Sequence, residues 1–471
     1  QMYDPHRTSH PTAQSIFRHV CEPLFYTDYA GELYGLLAED TIEYSEDGQR
    51  VAIRLRSDIY FHDGTLLDAQ AVKSSFERLQ HQGVSPLFNE FRNVQIDAHP
   101  DQQTVTFHLP APDYEFVRLV LTNSYAAIVS PRTETSTAPG FVACTGPYQF
   151  VPEQYQPNHS LTLARVKTYY TPPHYFTNQG ATHIPQLHFI FEADHDQRLN
   201  LLTSGEACVL SLNPEHVDEI ANNQNFHLYD DVGGITYLGF NFQSPLWQDV
   251  RVRQAVALAL NKEGFITSNA FRVADTPITT NATGYDAQVA SHGYDYDPER
   301  SRKLLTETGF DNNEEMVLLI PESRTYRQLA TIVQQQLSEV GIQQVRISEV
   351  PRSEILTTRQ HFDLLLFDYA WESYTALSIF LGTGPRNLLN YPHQDITNYV
   401  NKARTTDDAT LRQQYLYEAQ RTVLEDVIWH PLILRHITTA VDSRCVTGER
   451  MAPDQVLVFH DAITTAANSQ E

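Results

Sequence analysis

Residues 296–310 read YDPERSRKLLTETGF, and this is the most informative stretch of the chain. It has the pattern of a short turn that runs into an amphipathic helix. Three further blocks of the same character accompany it. They are YDPHRTSHPTAQSIFRHVCEPLFYTD at 3–28, SEDGQRVAIRLRSDIYFHDGTLLDAQAVKSSFERL at 45–79, and WQDVRVRQAVALALNKEGF at 247–265.

Local signals predict the elements around these blocks. An Asp-Gly pair lies between two alternating runs within residues 41–56, which is a strong signal for a β-hairpin. Residues 68–80 predict a helix with Asp68 as its N-cap, and residues 12–25 have helical apolar spacing. The buried stripe of the helix over 68–80 consists of Val72, Phe76 and Leu79.

The rest of the chain alternates between strand and helix patterns. We predict helices at 195–204, 214–221, 249–260, 298–308 and 324–340, and strands at 185–191, 234–242, 318–321, 345–350, 362–369 and 453–462. Strands that alternate with helices predict an α/β sheet in each large lobe.

The four blocks, in this order and spacing, resemble the peptide and nickel class of bacterial extracellular solute-binding proteins, called family five. The resemblance covers nearly the whole chain. It implies an α/β, two-lobed periplasmic-binding-protein-like fold of the class II type, with an extra small α+β lobe inserted in the first lobe. The implied boundaries are lobe I at 1–40, 146–242 and 438–471, the small lobe at 41–145, and lobe II at 243–437.

The charge balance excludes some classes of partner. Lys and Arg total 33 against 58 Asp and Glu, so the formal charge of −25 opposes binding to nucleic acid and to anionic lipid surfaces. No run of 18 apolar residues is present, and the first residues lack the regions of a signal peptide. We therefore expect that any export signal has been cleaved or omitted.

The four cysteines are Cys21, Cys144, Cys208 and Cys445. Their wide spacing excludes a CxxC redox motif and a zinc ribbon. Two disulfides in an exported protein and four thiols in a cytosolic protein both remain open. In the family a glycine usually occupies the position of Cys144, which we interpret as a packing substitution at the hinge and not as a nucleophile.

Residues 361–382, HFDLLLFDYAWESYTALSIFLG, are predicted to supply ligand contacts. The strand would deliver polar and aromatic side chains to its carboxyl end, where open α/β sheets bind ligands. Many peptide-binding relatives place here an aspartate, after a tryptophan and directly before a tyrosine, to hold a peptide amino terminus. This chain departs from that pattern. Its candidates are Trp371, Glu372, Ser373 and Tyr374, with ordinary packing as the alternative for the two aromatic residues.

Two further segments supply candidates. Residues 233–243, GGITYLGFNFQ, resemble the family's crossing strand, whose backbone can pair with an extended peptide. Tyr237 and Asn241 are its candidate ligand contacts, and an interior strand is the alternative. Arg386 is a candidate for pairing with a ligand carboxylate, with an ordinary surface position as the alternative.

Chemistry other than binding has little support in the sequence. The tetrapeptide FHDG at 61–64 places His62 and Asp63 on opposite faces of a strand, and in the family it is a turn. His6 and His10 are flanked by prolines, which argues against a helical pair of metal ligands. The motifs GxSxG, HExxH, GxxxxGK[ST] and GxGxxG are absent from the sequence. We expect no catalytic residue, no metal and no cofactor.

The resemblance leaves two hypotheses of function. In the first, the chain is a monomeric periplasmic or extracellular receptor, anchored to the membrane through a removed N-terminal signal. It closes on a small ligand, most simply a di- or oligopeptide, and delivers it to an ABC importer. In the second, it is the ligand-sensing C-terminal domain of a cytosolic transcriptional regulator with the same fold. The segment SPLFNEF at 85–91 resembles such regulators as much as transport receptors.

Overall fold

The computed structural model divides the chain into two compact units. Unit 1 comprises residues 1–210, 223–229 and 440–471, and unit 2 comprises residues 211–222 and 230–439. The structure describes residues 3–8, 11–81, 85, 87–133, 140–169, 172–355, 361–370, 373–382 and 386–465.

The helices and strands of the described residues are as follows. The helices are α1 Pro11–Val20, α2 Ala69–Gln80, α3 Phe88–Phe91, α4 His195–Ser204, α5 Val217–Ile220, α6 Val250–Ala259, α7 Pro298–Thr308, α8 Arg324–Glu339, α9 Thr375–Leu381, α10 Asp395–Thr405 and α11 Ala409–Glu425. Strands β1–β10 are Phe25–Thr27, Leu33–Gly35, Ala38–Tyr44, Arg50–Leu55, Gln95–His99, Thr104–His108, Tyr148–Phe150, Ser160–Arg165, Gln186–Ile190 and Val209–Ser211. Strands β11–β20 are Phe226–Phe240, Phe271–Val273, Met316–Pro321, Val345–Val350, Leu364–Tyr369, Trp429–Asp442, Val446–Thr447, Arg450–Met451, Leu457–Val458 and Ile463–Thr464.

Unit 1 contains an antiparallel sheet of order β3-β4-β6-β5. The Asp-Gly turn joins β3 to β4, with Ile42 opposite Ile53, as predicted. The N-cap prediction for α2 is also confirmed, because the Asp68 carboxylate accepts a hydrogen bond from the N–H of Ala71 at 2.7 Å. The predicted stripe of α2 is fully buried in the core that the helix shares with this sheet. The predicted boundaries of the small lobe, 41–145, stay a prediction.

Unit 1 also contains the disulfides. Cys21 bonds to Cys144, and Cys208 bonds to Cys445. Of the two oxidation states left open by the sequence, the structure shows the oxidised one. A nucleophilic role for Cys144 is excluded in this state because its sulfur is bonded.

Unit 2 is built on the larger sheet, of order β10-β16-β11-β15-β13-β14 with β12 paired to β16. Strands β13 and β14 are parallel and flank helix α8 in the sequence, which is the βαβ connection that the alternating pattern predicts. Strands β10, β11 and β16 each contain residues of both units, so the chain passes between the units along them.

Two sequence predictions of elements are wrong. The helix expected over 12–25 ends at Val20, because Pro23 cannot continue a helix and the apolar Phe25 starts β1. The strand expected over 453–462 is a turn followed by the short strand β19, and the turn places Gln455 at a φ of 65°. No helix in the described ranges is long and apolar enough to cross a membrane.

Candidate functional site

The carboxyl end of β15 is the place in unit 2 where polar and aromatic side chains converge. β15 pairs along its length with β11, from Phe240 opposite Leu364 to Ile235 opposite Tyr369. On its other side it pairs with β13 only through Leu364 and Leu365. The second half of the strand therefore has one side that β13 does not cover, which is the position where open α/β sheets place ligand sites.

Asp368 is the centre of a charged cluster at this strand end. Its side chain is 5% exposed. One carboxylate oxygen accepts hydrogen bonds from Arg352 Nη1 at 2.6 Å and from the hydroxyl of Tyr326. The other accepts a hydrogen bond from Arg435 Nη2 at 3.0 Å. These three hydrogen bonds, two of them from cations, offset the free-energy cost of burying the charged carboxylate.

The titration of the cluster follows from these contacts. Burial raises the pKa of Asp368, but Arg435 and Arg352 together outweigh burial and leave that pKa lowered. Burial and the neighbouring charge of Asp368 both raise the pKa of Tyr326. Asp368 is therefore ionised and Tyr326 is neutral near pH 7.

The two arginines are held from more than one side. The guanidinium of Arg352 lies over the ring of Phe367, 5.0 Å from its centroid. Arg435 also donates to the carbonyl of Gly233 at 3.1 Å. The side chain of Arg352 is 53% exposed and that of Arg435 is 37% exposed. Parts of both cations therefore face solvent.

The opposite face of β15 borders an apolar recess, because successive side chains of a strand point to opposite faces. The recess is lined by Tyr237, Gly239, Leu365, Phe367, Tyr369, Phe380, Leu388, Leu389 and Trp429. The rings of Tyr237 and Trp429 lie 4.9 Å apart and those of Tyr369 and Phe380 lie 4.3 Å apart. A Cβ atom on Gly239 would lie 2.7 Å from the end of the Leu389 side chain, so a larger residue here would require that side chain to shift.

The candidates on β11 and just after it are both buried. Tyr237 forms part of the recess and donates its hydroxyl to the carbonyl of Pro277 at 2.9 Å. Asn241 donates from its amide to the carbonyl of Phe362 at 2.8 Å, and its side-chain oxygen accepts from Asn390 at 2.9 Å. The side-chain amide of Asn241 is thus bonded within the protein. The structure brings Tyr237, but not Asn241, to the recess.

The remaining candidates follow β15. Ser373 lies next to α9, with its hydroxyl 2.6 Å from that of Thr375. Tyr374 is fully buried and donates its backbone N–H to the carbonyl of Thr283 at 2.9 Å. Arg386 is exposed. Trp371 and Glu372 lie outside the described residues. The role of each candidate in ligand binding stays a prediction.

Sequence reasoning did not select Arg352, Arg435, Phe380 or Trp429. Open α/β sheets bind ligands at the carboxyl ends of their strands, and Arg352 follows the carboxyl end of the parallel strand β14. The same rule that selected the end of β15 could therefore have selected Arg352. Arg435 lies within a strand, and its pairing with Asp368 gives no local signal. In the described part of the chain, no group of three His, Cys, Asp or Glu side chains is placed to hold a metal ion.

His62 and Asp63 of the FHDG segment have structural partners. Nε2 of His62 lies 2.9 Å from the carbonyl of Gly146. The carboxylate of Asp63 accepts from the backbone of Thr65 at 3.0 Å and from the hydroxyl of Ser130 at 2.6 Å. These contacts form the turn that precedes α2.

Comparison with known proteins gives matches over nearly the whole chain. A family model described as bacterial extracellular solute-binding proteins, family 5 Middle, matches residues 32–384. The glutathione-binding protein GsiB of Pectobacterium atrosepticum is 28% identical over an alignment that covers 98% of this chain and 92% of that protein.

Solved structures are similar over the same extent. The ABC transporter substrate binding protein CtaP from Listeria monocytogenes matches with a TM-score of 0.85 and 22% identity, covering 99% of this chain and 97% of that one. The dipeptide binding protein from Pseudoalteromonas sp. SM9913, in complex with Met-Leu, matches with a TM-score of 0.78 and 20% identity, covering 98% of each chain. These similarities confirm the predicted fold class.

Proposed function

The chain belongs to family 5 of the bacterial extracellular solute-binding proteins, and from this premise we propose that its ligand is a short peptide. The observation that carries the proposal is the family match over residues 32–384, which includes the end of β15, where the charged cluster lies on one face of the strand and the apolar recess on the other. A peptide has both apolar side chains and charged termini, and these two kinds of surface suit them.

Two relatives favour a peptide over other small ligands. One is named a glutathione-binding protein, and glutathione is a tripeptide. Another was solved with the dipeptide Met-Leu. The partners that the family implies are the ligand and an ABC transporter, and the chain is a binding protein and not an enzyme. The predictions of a substrate-binding protein and of no enzymatic activity are therefore confirmed. The alternative of a regulator's sensing domain is not supported by these matches.

The location and the oligomeric state form a finer part of the proposal. Members of the family are extracellular or periplasmic. Disulfides Cys21–Cys144 and Cys208–Cys445 support an oxidising compartment, where such bonds persist. We propose that the protein acts as a monomer, is anchored through an N-terminal signal removed on export, and makes no direct contact with nucleic acid. The formal charge of −25 supports the last of these points.

Native mass spectrometry of the purified protein, compared with its denatured mass, tests the ligand class. We expect extra mass that matches one or more short peptides. Calorimetric titration of the unfolded and refolded, ligand-free protein with glutathione and with Met-Leu would follow. A single co-purified molecule that is not a peptide, together with no binding of either probe, would contradict the proposal.

A further inference from the structure

We infer that the carboxyl end of β15 receives a carboxylate group of the ligand and not an ammonium group. The inference rests on the proposed function and adds to it the charge of the ligand group at this site.

An ammonium group of a ligand would need a carboxylate with which to pair at this strand end. Within the described residues, Asp368 is the acidic side chain at the carboxyl end of β15. One of its oxygens already accepts from Arg352 at 2.6 Å and from Tyr326, and the other accepts from Arg435 at 3.0 Å. An ammonium group approaching Asp368 would meet two fixed cations, so the cluster disfavours it.

The charges within the cluster around Asp368 do not cancel. Two guanidinium groups converge on one carboxylate, so the cluster of Arg352, Arg435, Asp368 and Tyr326 has one positive charge in excess. The nearby exposed pair Arg327–Glu349, joined at 2.8 Å, adds no net charge.

The guanidinium groups of Arg352 and Arg435 have N–H donors in reserve. A guanidinium has five N–H donors, and Asp368, Tyr326 and Gly233 use only part of this capacity in the two arginines. Within the described residues, Nε of Arg435 is buried and has no hydrogen-bond acceptor. A carboxylate is the ligand group that matches the planar fork of an arginine.

Both arginine side chains are held in position within the protein. Asp368 fixes the position of both guanidinium groups, and the ring of Phe367 lies beneath Arg352. The side chains are therefore ordered before a ligand arrives, which lowers the entropic cost of binding. Together these contacts assign the exposed parts of Arg352 and Arg435 as a carboxylate subsite.

Calorimetry with an acid and its ester tests the inference. The probes are glutathione and glutathione diethyl ester, in which both carboxylates are neutral and the ammonium group is kept. We expect the wild-type protein to bind the ester at least about tenfold more weakly than the acid. In Arg352→Gln the acid should lose at least about tenfold and the ratio between acid and ester should fall toward one.

The matched control is Arg300→Gln, which removes an exposed arginine on α7 of the same unit, outside the cluster. It should keep the wild-type ratio. A second variant, Arg435→Gln, provides an independent test if Arg352→Gln proves unstable in thermal unfolding.

Equal binding of acid and ester by the wild-type protein would overturn the inference while leaving the peptide proposal intact. An unchanged ratio in both arginine variants would overturn it as well. If neither peptide probe nor any co-purified peptide binds, the proposed function fails instead, so the two failures are distinguishable.

Discussion

The buried carboxylate of Asp363 accepts a hydrogen bond from the hydroxyl of Ser244 at 2.7 Å, although 119 residues separate the two in sequence. Its second oxygen accepts from the backbone N–H of Val317 at 2.8 Å. Asp363 thereby links the start of β15 to β13 and to the segment that follows β11.

Replacing Asp363 by alanine should destabilise the protein. The change leaves the hydroxyl of Ser244 and the N–H of Val317 buried without their acceptor, and each such group costs about 1–3 kcal/mol. We expect the free energy of unfolding in urea to fall by about 2–4 kcal/mol. Asp407→Ala, at an exposed position of the same unit, is the control and should change it by less than about 0.5 kcal/mol. Equal effects of both changes would contradict this account.

His62 makes stability depend on pH. Burial lowers its pKa to about 4, because the charged imidazole would lose its hydration. The neutral ring donates from Nε2 to the carbonyl of Gly146 at 2.9 Å, and its Nδ1 faces the N–H of Cys144. Protonation would place two N–H groups against each other at Nδ1.

The direction of the pH effect follows from this lowered pKa. Between pH 6.5 and about 4 the unfolded chain binds more protons at His62 than the folded chain, so stability falls as the pH falls through that range. His62→Gln should therefore lose less stability than the wild-type protein between pH 7 and pH 4.5. His99→Gln, at an exposed histidine, should keep the wild-type profile. Unfolding in urea at several pH values measures both, and identical slopes for the wild type and His62→Gln would exclude this role.

The disulfide Cys208–Cys445 should contribute strongly to stability. It joins cysteines 237 residues apart, and the loop that it closes contains all of unit 2. A crosslink over such a loop restricts the unfolded chain and is expected to stabilise the fold by about 5 kcal/mol. The double variant Cys208→Ser with Cys445→Ser should unfold at a lower temperature than the wild type under oxidising conditions. The same comparison under reducing conditions is the control, since the difference should then nearly vanish.

The features that the sequence predicted are those with a local signal. The Asp-Gly turn before β4 and the Asp68 cap of α2 depend on neighbouring residues alone, and both are present. The end of α1 differs from the prediction because the helical apolar spacing continues past Pro23. Proline cannot continue a helix, and this restriction outweighs the apolar spacing.

The features that the sequence did not predict depend on distant partners. Asp368 lies 67 residues from Arg435 in sequence, and neither has a pattern that names the other. The pairing of the cysteines is likewise set by packing within unit 1. The charge of the cluster at the carboxyl end of β15 therefore follows only from the arrangement of side chains in the structure. The position of the site was predictable, because open α/β sheets bind ligands at the carboxyl ends of their strands.

Trp371 lies outside the described residues, and its role as an aromatic anchor for the ligand stays a prediction from the sequence. Trp371→Ala should weaken binding of glutathione or Met-Leu by at least ~1 kcal/mol, as is typical when an aromatic contact is lost, while the thermal midpoint stays close to that of the wild type. Tyr296→Ala removes an aromatic side chain that is 45% exposed in unit 2, and it should leave affinity unchanged. Unchanged affinity in Trp371→Ala would remove this residue from the site and leave the carboxylate subsite at Arg352 and Arg435 to be judged separately by the ester comparison.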